Sequence, residues 1–341
     1  MKHVVTFAAL LCLLATAALA DWQTVADGVA YQHYNSGGMD VHVARIDLTS
    51  PHVRVVTSRE SDRGLRVSDF AKRAHAVIAI NGDYFDPKMQ PVGLALSPCG
   101  VWEGTKDTGR EGVVAVGGGR AEIYPQKEVL DPPADWMTSA VSGWPMLVKQ
   151  CHPLSPVELP GSDGFTRSPH PRTAVGVTED GHTMFFVVAD GRRKDAPGLT
   201  LARLAAFMRD ELNVCSAMNL DGGGSSAMWV NDQIVNKPSD GSERRVADHL
   251  AVVLASELLA CDEKPATVDE AALADAKKRE EAEQRGNAAN APKTNANAGS
   301  QSATPQPTAT PNGTTPNTTT SSPEKVPPQN DPSAKKLPPQ P

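Results

Sequence analysis

The sequence of 341 residues carries 33 Lys and Arg against 40 Asp and Glu, a formal net charge of −7. That balance argues against a nucleic-acid partner, which calls for a basic surface to neutralise phosphates. It also means that any anionic ligand must be held by local cations.

The chain starts with Lys2, runs through apolar residues from Val4 to Leu19 and reaches Ala18-Leu19-Ala20, the pattern of a secretory signal over 1–20 with the mature chain starting at Asp21. The apolar stretch is short for a membrane span and no second span follows. Cys12 lies within it, and Ala9-Leu10-Leu11 lacks the small residue expected beside a lipidated cysteine. An exported protein, periplasmic or extracellular, is expected.

Asp40 to Leu48 and Val53 to Thr57 alternate or run β-branched and read as strands. Ser68 is expected to cap a short helix through Ala76, followed by a buried strand over Val77 to Ile80. Thr183 to Val188 is a further strand. Thr200 caps a helix that places Leu201, Leu204, Ala205, Met208 and Leu212 on one face. Ser216 to Leu220 returns as a strand, Ala227 to Val230 and Gln233 to Val235 form a hairpin around Asn231-Asp232, and His249 to Ala255 closes the domain. Short strands interspersed with a few helices define an α+β class: one compact domain over 21–261 with a mixed β-sheet.

Composition shifts at residue 262. From Asp262 onward there is no Phe, Trp or Tyr, and Pro, Thr, Asn, Ala and Ser dominate after Gly286. Such a segment buries too little apolar surface to offset its ordering entropy, so 262–341 reads as a disordered tail. Within it, Asp269 to Arg285 suits a solvated helix, and Asn312 and Asn317 match glycosylation acceptors.

Removal of the leader leaves Cys99, Cys151, Cys215 and Cys261. An even count in an exported chain implies disulfides, with three pairings open; Cys99–Cys151 and Cys215–Cys261 are favoured here. No Cys/His spacing typical of zinc is present.

Charged motifs cluster at the ends of these strands, where loops on a rigid scaffold carry sites. They are Asn81-Gly82-Asp83-Tyr84-Phe85, Arg172-Thr173, Asp190-Gly191-Arg192, Asn219-Leu220-Asp221-Gly222-Gly223-Gly224-Ser225-Ser226, and the segment ending in Glu243-Arg244. Alone, the NGD and DGR pieces are ordinary turn chemistry. Together, and in this order, NGDYF, Gly93, GWPMLV at 143–148, HPRTAVG at 170–176, DGR, NLDGGGSSAMWV at 219–230 and ERRV at 243–246 resemble the phosphodiester glycosidase family over roughly 77–254. Two positions depart from its pattern: Arg245 stands where a proline is common and Asp248 where an asparagine is common.

The resemblance implies hydrolysis of a sugar joined through its anomeric carbon to a phosphodiester, with a phosphosugar or cell-envelope glycan as substrate. Arg172, Arg192 and Arg244 come from three loops and suit bidentate contact with phosphate. Gly222, Gly223 and Gly224 offer main-chain amides for close approach of an anion, and Gly82 and Thr173 flank the same motifs. Asp221, then Asp83, then Asp190 are the candidate catalytic carboxylates. Clustered aspartates also suit Ca2+ or Mg2+. Asn81, Asn219, Ser225 and Ser226 suit sugar hydroxyls. A non-catalytic phosphosugar-binding or envelope-assembly module would use the same groups without turnover. A serine hydrolase built on Ser225 or Ser226 with His249 or His170 is disfavoured, because GGGSS lacks a nucleophile-elbow pattern.

Overall fold

The structure is a computed structural model that describes residues 22–257 and 260–261. The leader expected over 1–20, the tail over 262–341 and the helix expected over Asp269–Arg285 lie outside the described residues.

Three antiparallel sheets share one core. The largest has eight strands in the spatial order Gln23–Ala26, Val29–Ser36, Met39–Asp47, Thr183–Ala189, Arg172–Val177, Ser216–Asn219, Met146–Lys149 and His152–Pro153. A second sheet orders Gly100–Val101, Leu96–Ser97, Ser139–Gly143, Gly112–Gly117 and Arg120–Tyr124. The third orders Gln233–Ile234, Met228–Val230, Ala76–Asn81, His249–Leu254 and Val53–Thr57. The α+β class expected from the sequence stands. Strand directions are uniform rather than mixed: each named pairing among the described residues is antiparallel, between sequence neighbours and between distant strands alike.

The strand Thr183–Ala189 shows why its sequence has no polar alternation. Met184, Phe186 and Val188 face the core where the three sheets meet, among Ile46, Val175, Ile80 and Leu250. Phe185, Val187 and Ala189 face the other way, against Leu201, Leu204, Ala205 and Met208 of the helix Leu201–Asp210. Both faces are buried, so both need apolar side chains. Phe186 is fully buried at the meeting point of the sheets; replacing it with Ala is expected to cost about 3–5 kcal/mol of unfolding free energy, measured by denaturant titration.

Thr200 caps its helix as expected, its hydroxyl accepting from the Arg203 amide at 3.2 Å. The hairpin turn puts Asn231 and Asp232 at φ of 41° and 67°, the left-handed pair of a two-residue primed turn. Ser68 does not cap the other helix. That helix spans Val67–Arg73 with Arg66 at its N-cap position, and the Ser68 amide donates instead to Glu243 Oε1 at 2.9 Å. A carboxylate from a distant loop therefore satisfies this helix start, which local sequence could not reveal.

The disulfides are Cys99–Cys261 and Cys151–Cys215, so the favoured pairing is corrected. Cys151 and Cys215 flank strands Met146–Lys149 and Ser216–Asn219, which are antiparallel neighbours, and the Cys151 amide donates to Cys215 O at 2.9 Å. Cys99 lies in the tight turn between the strands Leu96–Ser97 and Gly100–Val101. Strand adjacency accounts for the Cys151–Cys215 pair.

Candidate active site

The motif loops meet at one end of two adjoining sheets. Asn81, the last residue of its strand, joins them: its Oδ1 accepts from Thr173 Oγ1 at 2.8 Å and from the Ala227 amide at 3.3 Å, while Nδ2 donates to Asp221 O at 2.7 Å. Thr173 Oγ1 also lies 3.2 Å from Ser226 Oγ. Asn81, Thr173 and Ser226 are all buried, so this net fixes the large sheet, the third sheet and the glycine loop together. Asn81 and Ser226, the two of these expected at sugar hydroxyls, are both bonded to Thr173.

The glycine run is a junction of three segments. Gly223 has φ of +62°, and its amide donates to Pro171 O at 3.0 Å. A Cβ on Gly224 would lie 2.2 Å from both Arg244 Nη2 and Asp240 Oδ2, so only glycine admits that ion pair. The Gly222 amide donates to Asp221 Oδ1 at 2.8 Å. Two of the three amides expected to face an anion are thus engaged within the protein.

The three arginines of the motifs gather around this loop. Arg172 is 3 % exposed. Its Nε donates to Leu199 O at 3.0 Å, its Nη2 to Phe165 O at 2.6 Å and Ser168 O at 3.3 Å, and the guanidinium lies over the Phe165 ring. All these acceptors are carbonyls; among the described residues no carboxylate bonds it. Burial lowers its pKa to about 10, which still leaves it charged at neutral pH. Arg244 pairs with Asp240 at 2.8 Å against Gly224. Arg192 is exposed at φ of +61°, with Nη1 3.4 Å from Ser239 Oγ, next to Asp240 in sequence.

The carboxylates divide into two groups. Asp83 and Asp248 are buried side by side: the Asp83 amide donates to Asp248 Oδ1 at 2.7 Å, and Asp83 Oδ1 accepts from the Ser142 amide at 2.6 Å. Gly82 between them tolerates no Cβ, which would lie 2.5 Å from Asp248 Oδ1. Burial first, then the charge of Asp248, pushes the Asp83 carboxyl well above the ordinary range. Burial, with a contribution from Asp221, raises Asp248 to about 7. Asp221 is half-buried and is the solvent-facing member of this set. Asp190 belongs elsewhere. Its oxygens accept from the Lys237 amide at 2.9 and 3.1 Å, from Asn236 Nδ2 at 3.1 Å and from Arg193 Nη1 at 2.7 Å. With its acceptors so occupied, Asp190 anchors the loop behind Arg192 rather than presenting a reactive carboxylate, so its catalytic assignment is corrected.

Among the described residues, seven buried side-chain N or O atoms lack a hydrogen-bond partner. Four of them are here: Asp83 Oδ2, Asp248 Oδ2, Asn219 Oδ1 and Ser225 Oγ. Unsatisfied polar atoms are costly, so their concentration in one place marks a site adapted to something other than stability. Asn219 Nδ2 is held by Tyr84 Oη at 2.6 Å and Trp144 O at 3.0 Å, which directs Oδ1. Tyr84, Trp144, Ser142 and Asp248 escaped the sequence reading as site residues. For Asp248 the departure from the usual asparagine was the available signal.

His249 is no partner for the serines. It is buried, stacks on Phe70 at 4.6 Å, and its ring nitrogens lie 3.2 Å from Ser58 Oγ and Leu65 O. His170 Nε2 lies 2.8 Å from Gly164 O. Among the described residues, groups of three or more His, Cys, Asp or Glu donors converging within 4.8 Å include neither Asp83, Asp190 nor Asp221. Asp190's separate anchoring removes it from the aspartate cluster expected to suit Ca2+ or Mg2+. A cleft of about 730 Å3 bordered by Arg120, Tyr124, Glu128, Lys149 and Asp180 also touches Val177. It opens at the far end of the strand that begins with Arg172, roughly 17 Å away by strand rise, and is separate from this site.

The strand-end loops of this antiparallel α+β domain thus gather a buried arginine and a pair of buried aspartates with raised pKa values. The chain belongs to the phosphodiester glycosidase family, whose model matches residues 74–253. It is 32 % identical over 218 residues to the SPbeta prophage-derived uncharacterized protein YomE of Bacillus subtilis, covering 61 % of this chain and 31 % of that protein. It is 29 % identical over 196 residues to mouse N-acetylglucosamine-1-phosphodiester alpha-N-acetylglucosaminidase, covering 52 % and 36 %. The chain thus spans about a third of the length of the curated relatives it matches. Among solved structures, the zebrafish N-acetylglucosamine-1-phosphodiester alpha-N-acetylglucosaminidase catalytic domain superposes with a TM-score of 0.53 at 20 % identity, covering 70 % of this chain and 84 % of that one. A hypothetical protein from Synechocystis gives 0.52 at 16 % identity, covering 70 % and 64 %.

Proposed function

We propose that the protein hydrolyses glycosyl-1-phosphodiesters, releasing the free sugar and a phosphomonoester. The observation that carries this reading is Arg172: a buried cation bonded to carbonyls alone, beside the glycine loop and Asp221. A buried charge with no counter-charge is costly, and a bound phosphate offsets that cost. Arg192 reaches the phosphate from solvent, and Arg244, paired with Asp240 against Gly224, flanks the same loop. Asp221 takes the proton from the attacking water as the anomeric C–O bond breaks, and the bonding pair leaves on the phosphate oxygen. Because a phosphate is a weak base, the leaving group needs little protonation, and the arginines stabilise its developing charge. Asp83 and Asp248 act behind Asp221, holding its loop and retaining protons. The two disulfides support an oxidising, extracytoplasmic location. Among the described residues no helix is long and apolar enough to cross a membrane.

The test is release of sugar and phosphomonoester from a panel of glycosyl-1-phosphodiesters that includes N-acetylglucosamine, the sugar in the relatives' names. Arg192→Lys and Arg244→Lys keep the charge but lose the planar fork. Each is expected to lower kcat/KM by on the order of tenfold to a hundredfold, about 1.4–2.7 kcal/mol of transition-state stabilisation. Binding of panel members without turnover would instead identify a phosphosugar-binding module.

A further inference from the structure

We propose that His33, Asp40 and His42 form a binding site for one divalent transition-metal ion of the zinc class. The inference stands apart from the proposed hydrolysis, and all three residues precede the span matched by the family model. His33 and His42 occupy directly paired positions on the adjacent strands Val29–Ser36 and Met39–Asp47. Cross-strand pairing puts their rings on one face, stacked at 4.3 Å with an interplanar angle of 6°. Both Nε2 atoms consequently approach a single carboxylate oxygen: Asp40 Oδ1 lies 2.6 Å from His33 Nε2 and 3.6 Å from His42 Nε2. All three donor atoms fall within 4.8 Å of one another.

The 2.6 Å separation is that of a hydrogen-bonded pair, and the 3.6 Å separation is close to the spacing of two ligands on one metal ion. Ligands about 2.0–2.2 Å from a tetrahedral zinc ion lie roughly 3.3 Å apart, so small side-chain movements complete the set. His42 Nδ1 is 2.8 Å from Tyr31 Oη. That contact sets the ring orientation and leaves Nε2 as the ligating atom, the outer contact that metal-bound histidines usually have. Arg193 Nη1 holds the other oxygen, Asp40 Oδ2, at 3.3 Å and also bonds Asp190, and the Asp190 amide donates to Asp40 O at 2.9 Å. The ion would therefore brace the loop that carries Arg192. Two imidazoles and one carboxylate select Zn2+ and its neighbours over Ca2+ or Mg2+, which take oxygen donors.

The experiment is calorimetric titration of Zn2+ into the chelator-stripped full chain, with Mg2+ as the comparison, followed by His33→Gln. His33 is partly exposed, with 38 % side-chain accessibility, so its replacement leaves the core intact, whereas replacing buried His42 risks unfolding. Expected are one Zn2+ per chain with micromolar or tighter affinity, no heat from Mg2+, and affinity at least about a hundredfold weaker in His33→Gln with an unchanged metal-free Tm. Tyr31→Phe should weaken Zn2+ binding by about tenfold to a hundredfold. Absence of Zn2+ binding to the unmodified chain, or equal affinity in His33→Gln, overturns the proposal.

Discussion

Asp221→Asn is expected to lower turnover of a glycosyl-1-phosphodiester by on the order of a thousandfold while leaving the thermal transition close to that of the unmodified chain. The magnitude is that of a lost general base, commonly a hundredfold to ten-thousandfold. The fold should tolerate the change because Asp221 is half-buried, its main-chain oxygen rather than its carboxylate receives Asn81, and an amide oxygen still accepts from the Gly222 amide. Asp83→Asn provides the contrast. Asp83 is 1 % exposed and its carboxyl is raised by burial, so removing the acid should shift the thermal transition with pH as well as turnover. Measuring kcat/KM and Tm side by side distinguishes the two roles. Full activity in Asp221→Asn would remove this residue from the chemistry and direct attention to the raised carboxyls behind it.

The second large effect concerns pH and stability. Asp248 is raised to about 7 in the folded protein, by burial first, against an unfolded carboxyl near 4, and Asp83 is raised in the same direction. A raised acid favours the fold in its protonated form. Its contribution is therefore fully present below about pH 4, declines as the pH climbs, and is gone above about pH 7. A difference of about three pKa units corresponds to about 4 kcal/mol. Asp248→Asn removes this titration and lowers the repulsion on Asp83, while the amide oxygen can still accept from the Asp83 amide. The variant should therefore gain stability at about pH 8, by up to about 4 kcal/mol, and gain little at about pH 5, flattening the profile. Denaturant titrations at both pH values decide the matter: parallel profiles for the two proteins would show that Asp248 does not carry a proton in the folded state near neutrality.

Local pattern was enough to find most of the elements. The apolar run over Thr183–Ala189, the Thr200 cap and the Asn231-Asp232 turn each depend on short-range physics: burial on both faces, one hydroxyl reaching an amide, two residues tolerating positive φ. The motif loops were equally visible because glycines and charges interrupt hydrophobic strands there. What failed were the claims that needed partners. Ser68 lost its helix start to Glu243, far along the chain. Cys151–Cys215 followed strand adjacency, and Asp190 turned to Arg193, Asn236 and Lys237.

By itself, then, the sequence determined the α+β class, the family and the set of loops that carry charge, since propensity, periodicity and motif order are properties of neighbouring residues. Only the tertiary structure decided what each charged group faces. Burial raised Asp83 and Asp248, left Arg172 bonded to carbonyls without a carboxylate, and brought His33 and His42 to one oxygen of Asp40. Desolvation and Coulomb terms depend on distances in space, and those distances exist only once the three sheets have closed on a common core.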